Sequence, residues 1–145
     1  MSLFLRVLLL MVMCISSNTN DTDNQSYIQL VPEFTEYTVD ITMIRFILHN
    51  HGDTVYAYGT PREILKQEAD GWRVIPLSGT LIATYLMPGT QHIVPIHLED
   101  DFITLEEGIY TIEIVLYDLE GNPYPVSAEF SVVSTGQMNH PFVFL

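Results

Sequence analysis

The stretch Leu105–Asp118, which reads L-E-E-G-I-Y-T-I-E-I-V-L-Y-D, decides how this chain folds. Tyr110, Ile112, Ile114 and Leu116 recur at every second position, and an extended strand places alternate side chains on one face. Thr111, Glu113 and Tyr117 take the other face, with Val115 as the apolar exception. In a helix the same four residues would be spread around the axis instead of forming a stripe. The stretch is therefore a strand with one buried and one solvated side, and it requires a sheet that covers a core.

Working outward, the same grammar repeats. After the strand, Glu120-Gly121-Asn122-Pro123 is a turn into Val126–Val133, where Val126, Ala128, Phe130 and Val132 align. Before it, Glu99-Asp100-Asp101 leads in through Phe102, preceded by Gln91–Leu98 with His92, Val94, Ile96 and Leu98 facing one way. Pro95 faces the other way and lacks an N–H, which suits an edge strand or a bulge. Leu81–Leu86 is a short apolar segment stopped by Met87-Pro88-Gly89-Thr90. Ala69-Asp70-Gly71-Trp72 is a hairpin signal, since Asp-Gly suits a type I′ turn between Arg62–Gln67 and Trp72–Ile75. Thr54–Tyr58 is a further short strand, broken by Gly59-Thr60-Pro61. Asn50-His51-Gly52-Asp53 reads as a turn, and Tyr37–His49 as one long strand with Ile44, Phe46 and Leu48 on one face. Pro32 belongs to an edge or lead-in segment. Seven or eight short strands with no helical periodicity predict an all-β antiparallel sandwich over residues 31–133.

Ahead of that body, Met1–Ser16 carries one positive charge, Arg6, and then the apolar run Val7–Ile15. A bilayer-spanning helix needs about 20 apolar residues, so this run reads as a secretory signal. Cys14 is the sole cysteine of the chain, and two processing routes fit it. A cysteine closing a leader before a polar tether marks a bacterial lipid-attachment site, although Met13 stands where a small residue is usual. Cleavage after Ser16 or Ser17 is the other route. Residues 17–30 follow as a polar linker, free of apolar residues through Ser26. Beyond residue 133, a tail over 134–145 ends in the apolar Phe142-Val143-Phe144-Leu145.

Composition narrows the function. Eighteen acids against five basic residues give a formal net charge of −13, which repels phosphate backbones and anionic lipid. Nucleic acid is thus not an expected partner, and a membrane is one only through a lipid on Cys14. With its only cysteine in the leader, the sandwich holds together without a disulfide.

Several of these devices occur together in a known family. Pro32 and Tyr37, Leu48-x-Asn50, Asp70-Gly71-Trp72-x-Val74-x-Pro76, Leu86-x-Pro88-Gly89 and Leu105-x-x-Gly108-x-Tyr110 resemble the bacterial immunoglobulin-like domains of exported proteins and lipoproteins of Gram-positive bacteria. The resemblance spans about Val31–Val133. It implies an immunoglobulin-like sandwich of 7–8 strands, with Tyr110 bonding backward at the corner between the two sheets and Trp72 buried between them. It carries no catalytic residues or cofactor.

Chemistry-bearing motifs are sparse. His49-x-His51 has the spacing of half a zinc site, but zinc needs three or four ligands, and His92, His97 and His140 are scattered. Glu99-Asp100-Asp101 with Glu106-Glu107 offers carboxylates to calcium but reads as solvated loops, and Asp118-x-Glu120-x-Asn122 is like a calcium loop without the acidic ligand that closes it. No nucleophile elbow, phosphate loop or dinucleotide fingerprint occurs. The chain reads as an exported, extracytoplasmic, non-catalytic module that binds an unknown protein or surface ligand, or serves as a spacer. A carbohydrate or calcium module using Trp72, Tyr56 and Tyr58 or the acidic loops is the alternative.

Overall fold

The computed structural model describes residues 27–79 and 82–136; the leader with Cys14, most of the linker and the apolar end Phe142–Leu145 lie outside the described residues. Two sheets form the body. The smaller holds β1 (Ile28–Pro32), β3 (Met43–Asn50) and β8 (Gln91–His97) in the order β1-β3-β8. The larger is centred on β9 (Gly108–Tyr117), which pairs along its whole length with β10 (Pro123–Val133). Its far side is shared by β4 (Tyr56–Tyr58) and β5 (Glu63–Glu68). β7 (Thr84–Leu86) continues outward from β4, and β6 (Gly71–Pro76) from β5. β2 (Glu36–Thr38) closes the other edge in parallel with β10.

The opening stretch is the central strand. Tyr110, Ile112, Ile114 and Leu116 are all buried, and they face Phe46, Ile44 and Leu48 in a core shared by the two sheets. Burying an aliphatic or aromatic side chain of this size stabilises by about 1.5–3 kcal/mol, so the alternation is enforced at every position. Val126, Ala128, Phe130 and Val132 line up as the sequence predicts, and Pro95 sits on β8, an edge strand of the smaller sheet.

Ten strands occur among the described residues, more than the seven or eight expected. One reason is that Tyr37–His49 is not a single strand. Tyr37 lies in β2, paired with Val132 of the larger sheet, and the chain then crosses to the smaller sheet before β3 begins. The switch is pinned on both sides: the Ser131 amide donates to the Thr35 carbonyl, and the Val39 amide to the Val133 carbonyl. Pro32 ends β1, the edge strand of the smaller sheet, just before the chain first passes to β2, and an edge tolerates its missing donor. β1 begins at Ile28, so the linker expected through residue 30 loses its last three residues to the sheet.

The β5–β6 hairpin also differs in detail. Glu68 pairs with Gly71, leaving Ala69 and Asp70 as the turn, and neither has positive φ. A type I′ turn needs positive φ at both central residues, so this turn is of another type. Gly71 takes the unusual backbone at φ 147.

Candidate functional site

The corner in front of β9 is built as the sequence suggests. The Tyr110 hydroxyl donates to the Glu106 carbonyl at 2.6 Å, and the ring stacks on Phe130 with centroids 5.4 Å apart. Burial pushes the phenol above its ordinary pKa, so it stays a donor. Gly108, at φ 152, has a further role that spacing alone did not reveal. A Cβ there would sit 2.9 Å from Cε of Lys66, so the glycine clears a path for the lysine stem. Lys66 Nζ meets Glu106 at 2.7 Å, and Arg73 bridges Glu106 at 3.0 Å and Glu68 at 2.7 Å. The hydrogen bond from Lys66 holds the Glu106 carboxyl below its usual range and raises the lysine in turn. This network ties the β5–β6 hairpin to the corner.

A second polar knot joins two motifs that looked unrelated in sequence. Asn50, the buried polar residue of the described body, donates from Nδ2 to the carbonyls of Thr54 at 2.7 Å and Leu86 at 3.3 Å. Its Oδ1 accepts from the Gly52 amide at 3.0 Å. Its backbone completes the set, donating to Thr90 and accepting from Gly89. Leu48-x-Asn50 and Leu86-x-Pro88-Gly89 are therefore two halves of one structural device, because a buried polar group needs every partner.

The chemical candidates fare differently. The rings of His49 and His51 approach to 3.6 Å between centroids, but His51 also stacks on Tyr27 and contacts Gln29 Oε1. His92 points into the sandwich, with Nδ1 2.9 Å from the Tyr58 hydroxyl. Among the described residues no group of three or more His, Cys, Asp or Glu is placed to hold a metal ion. Asp118 has its oxygens occupied by the amides of Glu120 and Asn122 and by the Asn122 side chain. Those bonds, the Asn122 side chain first, lower its pKa and make the segment a hairpin turn. Asp101 accepts from the Ser78 amide and hydroxyl and fastens the loop after β6.

Trp72 corrects the sequence expectation most sharply. It is not core: it is 52% exposed, whereas Tyr56 and Tyr58 are buried on the inner face. The inner aromatics are Phe46, Phe130, Tyr110 and Tyr56 instead. The three-residue aromatic platform imagined for sugars does not form, because its members occupy opposite faces of the sheet.

What Trp72 does join is the outer face of the larger sheet. Val74, Leu65, Thr111 and Glu129 make one cross-strand row there, and Tyr85, Ala57, Tyr117 and Pro123 make another. Between those rows the sheet is interrupted. Tyr58 pairs with Leu116 and Ile64 with Ile112, so five residues, Gly59 to Glu63, stand opposite three, Glu113 to Val115. The surplus bulges toward β8, with Pro61 buried, and leaves a notch of about 380 Å³, lined by Pro61, Leu65, Val115 and Tyr117 together with Arg62, Glu63 and Glu113. Neither Glu63 nor Glu113 has an ion-pair partner among the described residues.

Sequence and structure comparisons accord with this architecture. A family model described as a bacterial Ig-like domain matches residues 24–131. No curated protein is significantly similar in sequence. Among solved structures, the fold is similar to a chain of the chaperone–tip adhesion subunit pre-assembly complex of the archaic chaperone-usher Csu pili of Acinetobacter baumannii. That match has a TM-score of 0.52 at 14% identity and covers 77% of this chain and 58% of the other. The periplasmic chaperone SfaE gives a TM-score of 0.50 at 12% identity, covering 79% of this chain and 60% of that one. The chain thus spans well under two thirds of either structure's length, and at these identities the likeness is one of fold.

Proposed function

This chain belongs to the bacterial Ig-like domain family, and we propose that it is an exported, non-catalytic module that binds a macromolecular partner outside the cytoplasm. The observation that carries the reading is β6. Among the described residues it pairs with β5 alone, so its other edge offers backbone groups that no described strand pairs, and Trp72 and Val74 stand half in solvent beside that edge. Open strand edges and exposed aromatics are what partner strands and interfaces use. Export is supported by the leader pattern of Met1–Ser16, and membrane attachment by Cys14.

A photocrosslinking residue placed at Val74 in producing cells tests the binding reading. A discrete adduct from Val74, absent when the crosslinker stands at the equally exposed Ile93 on the opposite sheet, is the expected result. Equal yields from both positions, or none from either, would overturn it. Fractionation of wild type against Cys14→Ser decides the anchor. Lipidation requires the substituted protein to leave the membrane fraction.

A further inference from the structure

We infer that the outer face of the larger sheet docks a basic, extended polypeptide segment, with one lysine or arginine side chain seated in the notch between β4 and β5. The inference rests on the binding reading above and adds the chemistry of the partner. Its first support is the distribution of charge. The outward positions of this sheet carry four glutamates, Glu36, Glu63, Glu113 and Glu129, and none has an ion pair or side-chain hydrogen bond among the described residues. No lysine or arginine occupies an outward strand position of that face. The cations of the body are spent elsewhere: Arg45 on Glu33, and Lys66 and Arg73 on the corner network. Arg62 in the lining of the notch offsets one of the four carboxylates and leaves the face negative.

The second support is the shape and composition of the notch. Its lining combines the apolar Pro61, Leu65, Val115 and Tyr117 with Thr60 and the carboxylates of Glu63 and Glu113. A lysine or arginine has the same division, a hydrocarbon stem ending in a charged head that stays near solvent. Alternate residues of a strand direct their backbone groups to opposite neighbours. At least one of the three residues Glu113 to Val115 therefore turns its amide and carbonyl toward the notch, where no strand of the described residues pairs with it. That carbonyl adds an acceptor for a cationic head. Around the notch, Trp72, Val74, Ile109, Tyr117 and Tyr85 give the rest of a segment apolar ground to lie on.

Charge also excludes the other occupants. A second copy brings the same anionic face and a formal net charge of −13, and anionic lipid or nucleic acid is repelled likewise.

Trp72 is the sole tryptophan, so its emission reports directly from the face. The test titrates the full mature chain with a synthetic peptide of alternating lysine and valine, and with a glutamate–valine counterpart. Binding is read from Trp72 fluorescence and peptide anisotropy. The lysine peptide should bind and shift Trp72 emission to the blue, and 0.5 M NaCl should weaken it at least fivefold. The double variant Glu63→Gln/Glu113→Gln should weaken it at least fivefold at low salt. Glu99→Gln/Asp100→Asn, which removes as much charge away from the sheet, should change it less than twofold. An equal loss in both double variants overturns the notch and leaves only general acidity, and so does saturable binding of the glutamate peptide. If the Val74 crosslink forms in cells but survives Glu63→Gln/Glu113→Gln unchanged, the basic-partner chemistry fails while the binding module stands. If no crosslink forms, the broader reading fails first.

Discussion

Replacing Asn50 by alanine removes three side-chain hydrogen bonds at once and leaves their partners behind. Two carbonyls lose a donor, those of Thr54 and Leu86, and the Gly52 amide loses its acceptor. Leu86 is fully buried, so its carbonyl has no route to water. The carbonyl of Thr54 and the amide of Gly52 lie in partly buried surroundings, where water recovers some of the loss. A typical bond contributes about 1 kcal/mol net, and a stranded buried group costs about 1–3 kcal/mol. The expected destabilisation is therefore about 2–4 kcal/mol, a large share of the ~5–15 kcal/mol that holds a domain of this size. Urea unfolding followed by far-UV circular dichroism measures it, and the midpoint should fall with an unchanged slope. Asn50→Asp sharpens the test, because it keeps the shape and the acceptor for Gly52 but turns an acceptor toward two carbonyls. Burial raises the pKa of that new carboxyl above its unfolded value. Its penalty should then ease as pH falls below the unfolded carboxylate range and grow as pH rises through the folded one. An alanine variant within about 0.5 kcal/mol of wild type, the range of ordinary surface changes, would refute the idea that Asn50 knots β3 to β7.

Three further outcomes are expected. Tyr110→Phe should cost about 1 kcal/mol or more, since the Glu106 carbonyl loses its donor at the corner; an unaltered melting temperature would remove the corner role. Trp72→Ser should change stability by less than about 0.5 kcal/mol, and the native protein should emit like a solvated indole, whereas a tryptophan packed in the core would fail both tests. Glu106 has its carboxyl held below its ordinary range by the hydrogen bond from Lys66. The contribution of this exposed pair is present above the unfolded pKa and lost as pH falls through the depressed folded one. Glu106→Gln should therefore flatten the acid limb of the stability–pH curve below about pH 4.5, and 0.5 M salt should mimic it.

The alternation in Leu105–Asp118 and Val126–Val133 reported the core faithfully, because a sheet with one buried side permits no other pattern. Local chemistry was equally readable at Tyr110, whose bond spans four residues. Trp72 was misjudged for a physical reason. In β6 the more apolar face, Trp72 and Val74, is the one turned outward, and Arg73 and Ile75 share the other. Its orientation is set by pairing with β5, where Leu65 aligns with Val74 and Ile64 with Ile75. That is register information, which no single strand contains. Tyr37–His49 was misread similarly: the chain changes sheets between β2 and β3 without a glycine or proline to mark the place. The notch, too, needs three strands in register before it exists. Gly59-Thr60-Pro61 was legible as a break but not as an opening beside Glu113. Asn50 looked like a turn former, and only the approach of β7 shows what it secures.

The two-residue slip between β4 and β5 also divides the sheet mechanically. β4 and β7 hang on one end of β9, and β5 and β6 on the other, with no ladder among the described residues crossing the gap between them. Each pair is hydrogen-bonded to β9 independently of the other, and each buries core side chains, Tyr56, Tyr58 and Leu86 in one and Ile64 in the other. The domain thus consists of a spine, β9 with β10, and two separately attached flaps, and amide hydrogen exchange should report a distinct opening free energy for each. Of the two, the flap that carries Trp72 has a free outer edge and is clasped to the corner by Lys66, Arg73 and Glu106. Ionic strength screens that clasp, so raising it should lower the exchange protection of β6 while β9 and β10 keep theirs.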